Sequence, residues 1–346
     1  MNYLICQDWI NTGNNHAGIK YLCNKLQELY PTQFVSIAIP DFTHTDSNYR
    51  FVKSLNFRCA KLRHWIYRHE LVKQLLKKIH SKDKIFLMEY MEKSASVLDV
   101  AQQIKLYNPH IPIYGLVHLV PDKLDKNFPQ EQQLNQWIEA VDKILTLGHS
   151  LTDYFLSKGV KQHKLHTSFH YVDNYYHNPN PQRNNEKIKV IAMGNQMRNI
   201  ALLEQIVIAN PNVNFIICQG ISDMSSTFGD KKNVELMPFI TENELRQKMK
   251  EADISLNVMT DTIGSNVIVT SLAMGLAMVC SDVGSIRDYC DDTNTIFCDN
   301  NEVSQFTRAI ALISMEKERL AAMQQSAAKS GKLLTIEKFA QELIEL

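Results

Sequence analysis

Short apolar runs alternating with helical segments, twice over, constrain this chain more tightly than any single motif. In the first half, residues 3–6, 34–39, 85–89, 113–117 and 143–147 read as strands, with helical runs such as 97–106 between them. These runs are too short for core helices and too evenly apolar for strands with one wet face. They fit strands of a parallel sheet covered on both sides. The first unit shows the pattern in full: a strand, a glycine-containing loop at 12–18, a helix with apolar positions at Ile19, Leu22, Cys23 and Leu26, then a strand.

The alternation stops at residues 174–187 (NYYHNPNPQRNNEK), a polar stretch with two prolines and no periodicity, and restarts at once. Residues 190–193, 214–218, 234–237, 254–257, 278–281 and 295–297 form the second set of strands. Thr241 followed three residues later by Glu244 has the form of a capping box and places a helix start there. A chain of 346 residues, 45% of them apolar, has material for two cores. The expected architecture is therefore α/β, with two Rossmann-like domains whose parallel, doubly wound sheets face a central cleft. The expected boundaries are 1–173, a linker at 174–187, 188–332, and a C-terminal helix in 333–346 that packs back on the first domain.

Composition removes several classes of function. The formal net charge is zero, which argues against a nucleic-acid partner. Seven cysteines without a Cys-x-x-Cys pair, several of them in strand-like runs, read as reduced core thiols of a cytoplasmic protein. The opening residues MNYLICQDWI lack the basic and long apolar regions of a signal peptide. No run approaches the ~20 apolar residues of a membrane span. One segment is unusual. Residues 53–84 hold ten Lys and Arg against two acids, Glu70 and Asp83, with Trp65, Ile66, Tyr67, Leu71, Leu75 and Leu76 interleaved. That is the composition of a helix lying on an anionic membrane surface, and equally of a solvated basic face over an ordinary core stripe.

The most informative stretch is 264–289, GSNVIVTSLAMGLAMVCSDVGSIRDY. Gly264, Ser265 and Asn266 form a capping turn, residues 267–274 a helix apolar almost all round, and Gly275 its stop. Residues 277–281 follow as a strand that opens into the polar turn 282–285. A helix start beside strand ends in an open α/β sheet is an anion site.

The order of these blocks resembles the nucleotide-sugar domain of GT-B glycosyltransferases, most closely the retaining family 4 type. Residues 190–194 (VIAMG) are similar to the strand that leads into the family's phosphate loop. NVELMPF at 233–239, Glu244-Leu245 and Ala252-Asp253-Ile254 resemble its run ending in an A-D-hydrophobic strand. Leu272 to Gly275 with Ser281 to Ile286 resembles its E-A-M-A-x-G-x-P-V-V-x-S-D-V-G-G signature. In the first half, Gly115-Leu116-Val117-His118 is similar to the strand-end histidine on the acceptor side, and 142–150 with Val172-Asp173 to the segment entering the linker. Two features depart from the family. Aligned on Gly275, the positions of its two signature glutamates hold Thr262 and Thr270, and its Arg-and-Lys phosphate loop is reduced here to Arg198.

The resemblance implies transfer of a sugar from a nucleotide-diphosphate donor to a glycan or lipid-linked acceptor in surface polysaccharide synthesis, with retention of configuration; the alternatives are the same fold with a nucleoside-monophosphate sugar donor, or a non-catalytic nucleotide-binding subunit of a glycosyltransferase complex. Charge developing on the departing diphosphate needs fixed donors. The amides of 264–266, the Ser265 hydroxyl and Arg198 can supply them, and no Asp-x-Asp suggests a bridging metal, so no metal or other cofactor is expected. The donor set is Gly194, Asn195, Arg198, Gly264, Ser265, Asn266, Thr270 and Asp282. His118 and Arg198 are the catalytic candidates. The loop residues Gly13, Asn14, Asn15, His16 and Gly18 lie on the acceptor side, and the basic segment suits the inner face of a membrane. Each residue also has an ordinary reading: Arg198 as a surface cation, Ser265 and Asn266 as a helix cap, His118 as a core histidine, Asp282 as a turn residue, Asp288 as a helix start. His163, His166 and His170 match no metal-ligand spacing and read as loop-surface residues. The fingerprints of dinucleotide, triphosphate and zinc-hydrolase sites, and the Gly-x-Ser-x-Gly elbow, are absent.

Overall fold

The structure is a computed structural model that describes all residues except 10–14, 17, 44–46, 48, 93–96, 179–182, 184 and 195. The chain divides into two compact units. The first comprises Met1–Leu147, Leu151–Ser168 and Ala340–Leu346, and the second Gly148–Ser150 and Phe169–Phe339.

The N-terminal unit is built on six parallel strands: β1 (Asn2–Asp8), β2 (Phe34–Pro40), β3 (Lys84–Tyr90), β4 (Ile113–Val117), β5 (Lys143–Thr146) and β6 (Leu165–Thr167). Their spatial order is β2-β1-β3-β4-β5-β6. The five strands read from the sequence are all present. β6 was not anticipated, because its three residues, Leu165, His166 and Thr167, carry one apolar side chain and lie at the sheet edge. The last seven residues of the chain close this unit. Lys84 Nζ donates to the Ile344 carbonyl (3.0 Å), Tyr114 Oη to that of Leu346 (3.1 Å), and His166 pairs with Glu342.

The C-terminal unit repeats the plan with β7 (Lys189–Ala192), β8 (Asn214–Cys218), β9 (Val234–Met237), β10 (Ile254–Asn257), β11 (Ala277–Ser281) and β12 (Thr295–Cys298), all parallel. Read from β9, the order is β9-β8-β7-β10-β11-β12. Alternate residues feed two cores. Val190, Ala192, Phe215, Ile217, Leu256 and Val279 pack on one face. Ile191, Met193, Ile216, Met278 and Cys280 pack on the other. A period of two in a strand buried on both faces is what a doubly wound sheet requires. The capping box forms as read: Thr241 accepts from the Glu244 amide while the Glu244 carboxylate accepts from the Thr241 amide.

Residues 174–187 are tied down where they are described. Tyr176 is buried and donates through its hydroxyl to Glu242 (2.8 Å). Arg183 donates to the carbonyls of Met274 and Gly275, both at 2.8 Å, and Asn185 to the buried Asp253 carboxylate. A stretch without periodicity or an apolar face of its own still packs on the second unit through side chains that satisfy helix-end carbonyls.

The basic helix Arg50–Lys78 divides along its length. Its second half carries the core stripe, with Leu71, Val72 and Leu75 buried and Arg68 paired to Asp99 at 2.7 Å. Its N-terminal part, through Ile66, is different: Phe51, Leu55, Leu62, Trp65 and Ile66 are all more than half exposed. Spacings of four, seven, three and one residue put these five on a single face.

Close packing of the helix 317–331 on the helix 266–273 rests on Gly331. A methyl group there would stand 2.6 Å from the backbone of Ala273. Gly331→Ala is therefore expected to destabilise the C-terminal unit by about 1–3 kcal/mol through overpacking, read as a lower urea midpoint at unchanged slope.

Candidate functional site

The strand order of the C-terminal unit determines where a site can form. β7, first in the chain, has β8 on one side and β10 on the other, so the chain leaves their carboxyl ends in opposite directions. The gap this opens is the switch point of the sheet, where open α/β sheets bind ligands. A hollow occupies it, lined by residues that follow β7 (Met193, Gly194, Gln196, Arg198), residues that end β10 (Asn257, Val258), and Ser265 with Val267 at the start of the helix Asn266–Ala273.

Local backbone structure holds these groups in place. Gly194 has φ +86°, and a Cβ there would stand 2.7 Å from Val267 Cγ2. Only glycine lets the loop turn so close to the helix start. Met197 also takes a left-handed φ of +56°. Its carbonyl accepts from the Thr260 amide (2.8 Å), and the Asn199 amide donates to the Val258 carbonyl (2.9 Å). The loop after β7 is thus laced to the extension of β10, and Arg198 sits between the two bonds.

Arg198 is the electrostatic centre of the hollow. Its Nη1 donates to the Cys218 carbonyl at 3.3 Å, while its Nη2 is buried without a hydrogen-bond partner among the described residues. Burial pushes the guanidinium down to about 10, with the Cys218 thiol acting in the opposite sense, so it stays cationic at neutral pH. A cation with an unmatched donor is costly in an empty protein and useful in one that takes up an anion.

The other donor-side residues divide. Ser265 lines the hollow and caps the helix, its Oγ accepting from the Val267 amide at 3.2 Å. Asn266 is the first helical residue. Gly264 adjoins the hollow, but its amide is turned to Thr262 Oγ1 (3.2 Å), and a Cβ on it would meet the ring of Tyr289. Its role is close packing, and Ser265 is the helix-start residue that lines the hollow. Thr270 lies away from the hollow, with its hydroxyl donating to the Asn266 carbonyl. Asp282 does not line it either, being held in a two-pronged pair with Arg287 (2.9 and 2.8 Å). Asn195 falls outside the described residues.

Asp288 sits in the 3-10 turn Ile286–Asp288, and its carboxylate accepts from the His149 amide (2.6 Å) and pairs with His149 Nδ1 (3.0 Å). Asn257 and Gln196 were not read from the sequence. Asn257 had a signal: it is a polar residue, 3% exposed, ending the apolar run of β10 next to β7.

In the N-terminal unit the candidates follow the carboxyl ends of β1 and β4, which flank β3. Gly18 begins the helix Ile19–Leu29 and its amide bonds the Asn15 carbonyl at 2.9 Å, while His16 packs on Tyr21. His118 is half-buried, one residue beyond β4. Gly13 and Asn14 fall outside the described residues. Of the three further histidines, His170 is not on the surface: it is 8% exposed and stacked on Tyr171, and burial lowers its pKa. Among the described residues no three His, Cys, Asp or Glu side chains gather as a metal site would need.

Two such units define the class: the chain has the GT-B fold of glycosyltransferases. Residues 189–315, within the C-terminal unit, match the family described as Glycosyl transferases group 1. Among solved structures, Anabaena HepE in complex with UDP superimposes with a TM-score of 0.72 at 13% identity, covering 100% of this chain and 99% of that one. Sucrose-phosphate synthase from Thermosynechococcus elongatus gives 0.75 at 11%, covering 100% and 98%. The lipopolysaccharide outer core galactosyltransferase WaaB gives 0.68 at 11%, covering 100% and 99%. No curated protein matches in sequence.

The unmatched guanidinium nitrogen makes a stability test possible. Arg198→Met removes a buried donor without an acceptor, and is expected to leave the ligand-free protein as stable or more stable, by about 1 kcal/mol. Differential scanning calorimetry of the two proteins reads the difference.

Proposed function

We propose that this protein is a glycosyltransferase that binds a nucleotide-diphosphate sugar in the hollow at the β7–β10 switch point. The observation that carries the reading is Arg198, a cation with a buried, unmatched Nη2 lining the same hollow as the N-terminus of the helix Asn266–Ala273. Both features favour negative charge, and a diphosphate supplies it. The group 1 match over the surrounding residues supports this reading, as does the fold shared with a protein solved in complex with UDP-glucose.

As the bond between the anomeric carbon and the diphosphate oxygen breaks, its electron pair stays with the oxygen. On this reading the Arg198 guanidinium and the positive end of the helix Asn266–Ala273 stabilise that charge. On this reading no metal is required, and configuration is retained as in the family the sequence resembles. The acceptor is a glycan or lipid-linked saccharide of surface polysaccharide synthesis, and His118 and the 13–18 loop belong to its side.

The exposed part of the helix Arg50–Lys78 supports a place at the inner face of a membrane. Five large apolar side chains share one face there, and residues 49–69 hold six Lys and Arg and no acid. Two copies of such a face would set cation against cation, whereas an anionic lipid surface complements it. Among the described residues no helix is long and apolar enough to cross a membrane.

Isothermal titration with UDP tests the donor site. Arg198→Ala is expected to weaken binding about ten- to hundredfold, the value of one charge-assisted hydrogen bond; affinity unchanged in Arg198→Ala would refute the assignment. Co-sedimentation with phosphatidylglycerol vesicles tests the surface. Binding should fall in the Phe51→Ser/Trp65→Ser variant and with added salt, and should be absent with neutral phosphatidylcholine. Equal binding to both vesicle types would rule out the electrostatic part.

A further inference from the structure

The N-terminal sheet has a switch point of its own, where the sequence offered no motif. Its order, β2-β1-β3-β4-β5-β6, places β1 between β2 and β3, so the chain departs in opposite directions beyond the carboxyl ends of β1 and β3. Glu89, the next-to-last residue of β3, lies at that gap. It is only half-buried, although residues 85–88 before it and Tyr90 after it are fully buried. Two N–H groups from the end of β1 hold its carboxylate: the Gln7 amide donates to Oε2 at 2.7 Å and the Trp9 indole donates to Oε1. The backbone departs from regularity at the same place. The pairing of β3 with β4 shifts register between Leu87 and Tyr90, and Met91 has a left-handed φ of +65°. A bulge at a strand end re-aims a side chain, and a non-glycine residue with positive φ is costly to keep.

The surroundings of Glu89 narrow what it can bind. No cation pairs with it among the described residues. Of the charged groups nearby, Glu92 is of like sign, and Asp8 and Lys20 are paired with each other at 2.7 Å. The buried Cys6 and Cys23 thiols lie on the β1 side, where Glu89 helps raise the Cys23 thiol. Burial raises the carboxyl to about 7, the like charge of Glu92 adds to the rise, and the two N–H bonds oppose it. An ionised carboxylate offers about four acceptor positions, and donors among the described residues fill two. The remaining two call for donors from a ligand, and the indole beside them offers a flat apolar face. His118, one residue past the end of β4, follows the strand next to β3. Donors on a ring with an apolar face describe a saccharide better than an anion, which Glu89 would repel.

We propose that Glu89 is the residue that holds a hydroxyl of the acceptor saccharide, accepting its hydrogen bond at the switch point of the N-terminal unit, with Trp9 alongside. The proposal rests on the glycosyltransferase reading for the word acceptor, and on the N-terminal unit alone for the site. Because the ionised form accepts the hydroxyl, affinity should fall about tenfold per pH unit below the midpoint of the carboxyl, and level off above it.

The test uses the full chain with methyl α-glucopyranoside and methyl α-galactopyranoside as probes, followed by saturation-transfer NMR and by tryptophan fluorescence. The expected result is binding of at least one hexoside, strengthening with pH through neutrality. Binding should weaken tenfold or more in Glu89→Gln and be partly restored in Glu89→Asp. The pH-dependent part of Trp9 emission should vanish in Glu89→Gln. UDP affinity, measured on the same samples, reports the C-terminal hollow and should change less than twofold. Loss of UDP binding in the wild type would sink the donor reading and leave Glu89 standing. Hexoside binding that is absent in the wild type, or unchanged in Glu89→Gln, would overturn the proposal. Trp9→Phe, which removes the indole donor and keeps an aromatic face, provides a second variant if Glu89→Gln does not fold, and should move the pH midpoint of binding upward; an unmoved midpoint would count against the site.

Discussion

A guanidinium with one nitrogen bonded and another buried without a partner is the constraint on which the C-terminal unit turns. Arg198 reaches its position because the loop after β7 is laced on both sides of it, through Met197 to Thr260 and through Asn199 to Val258. Gly194 lets that loop come against Val267. Neither feature helps the sheet itself, whose strands are already paired and covered. A folded chain of marginal stability keeps an unmatched buried donor where a ligand completes it. The hollow therefore reads as half of an interaction whose other half is negatively charged.

The two units use one topological device differently. In each, the first strand lies between its second strand and a later one, and the gap collects polar groups at carboxyl strand ends. In the C-terminal unit the group is a cation beside a helix N-terminus, and both suit an anion. In the N-terminal unit it is a carboxylate held by two N–H groups, which suits a neutral ligand rich in hydroxyls. Opposite charge at equivalent places in similar sheets separates the kinds of ligand each can hold. Fold alone does not make that distinction, and the side chains at the strand ends do.

Much of this could be read in advance, and the exceptions have physical reasons. Strands buried on both faces appear as largely apolar runs, so β4, β8 and β10 were read to the residue, and so was the half-exposed edge strand β9. β6 was invisible because an edge strand of three residues leaves no period to detect. Arg198 and Ser265 were legible from their place after a strand and before a helix, but the direction of the Gly264 amide was not, since it depends on Thr262. Glu89 was read as the end of a strand, because a single acid closing an apolar run looks the same whether it faces water or a ligand. The basic helix carried two readings; its C-terminal part carries the core stripe, and apolar side chains of its N-terminal part are exposed. Which part is covered depends on where the sheet ends, and no local pattern holds that information.

The threonines at the two signature positions change the electrostatics of the donor side beyond the loss of two contacts. A carboxylate beside a helix start partly neutralises the positive end of the helix dipole. Thr262 instead accepts the Gly264 amide, and Thr270 returns its hydroxyl to the Asn266 carbonyl within the helix. Both hydroxyls are used internally, and the positive end of the helix Asn266–Ala273 is left without a compensating charge at those positions. Asp282 does not restore one, because Arg287 pairs with it at the surface. The field in the hollow is consequently set by Arg198 and the helix start, with no carboxylate among the lining residues to offset it. Under the proposed function, donor recognition shifts toward the phosphates and away from sugar and ribose hydroxyls. Discrimination between sugars must then come from groups outside these two positions.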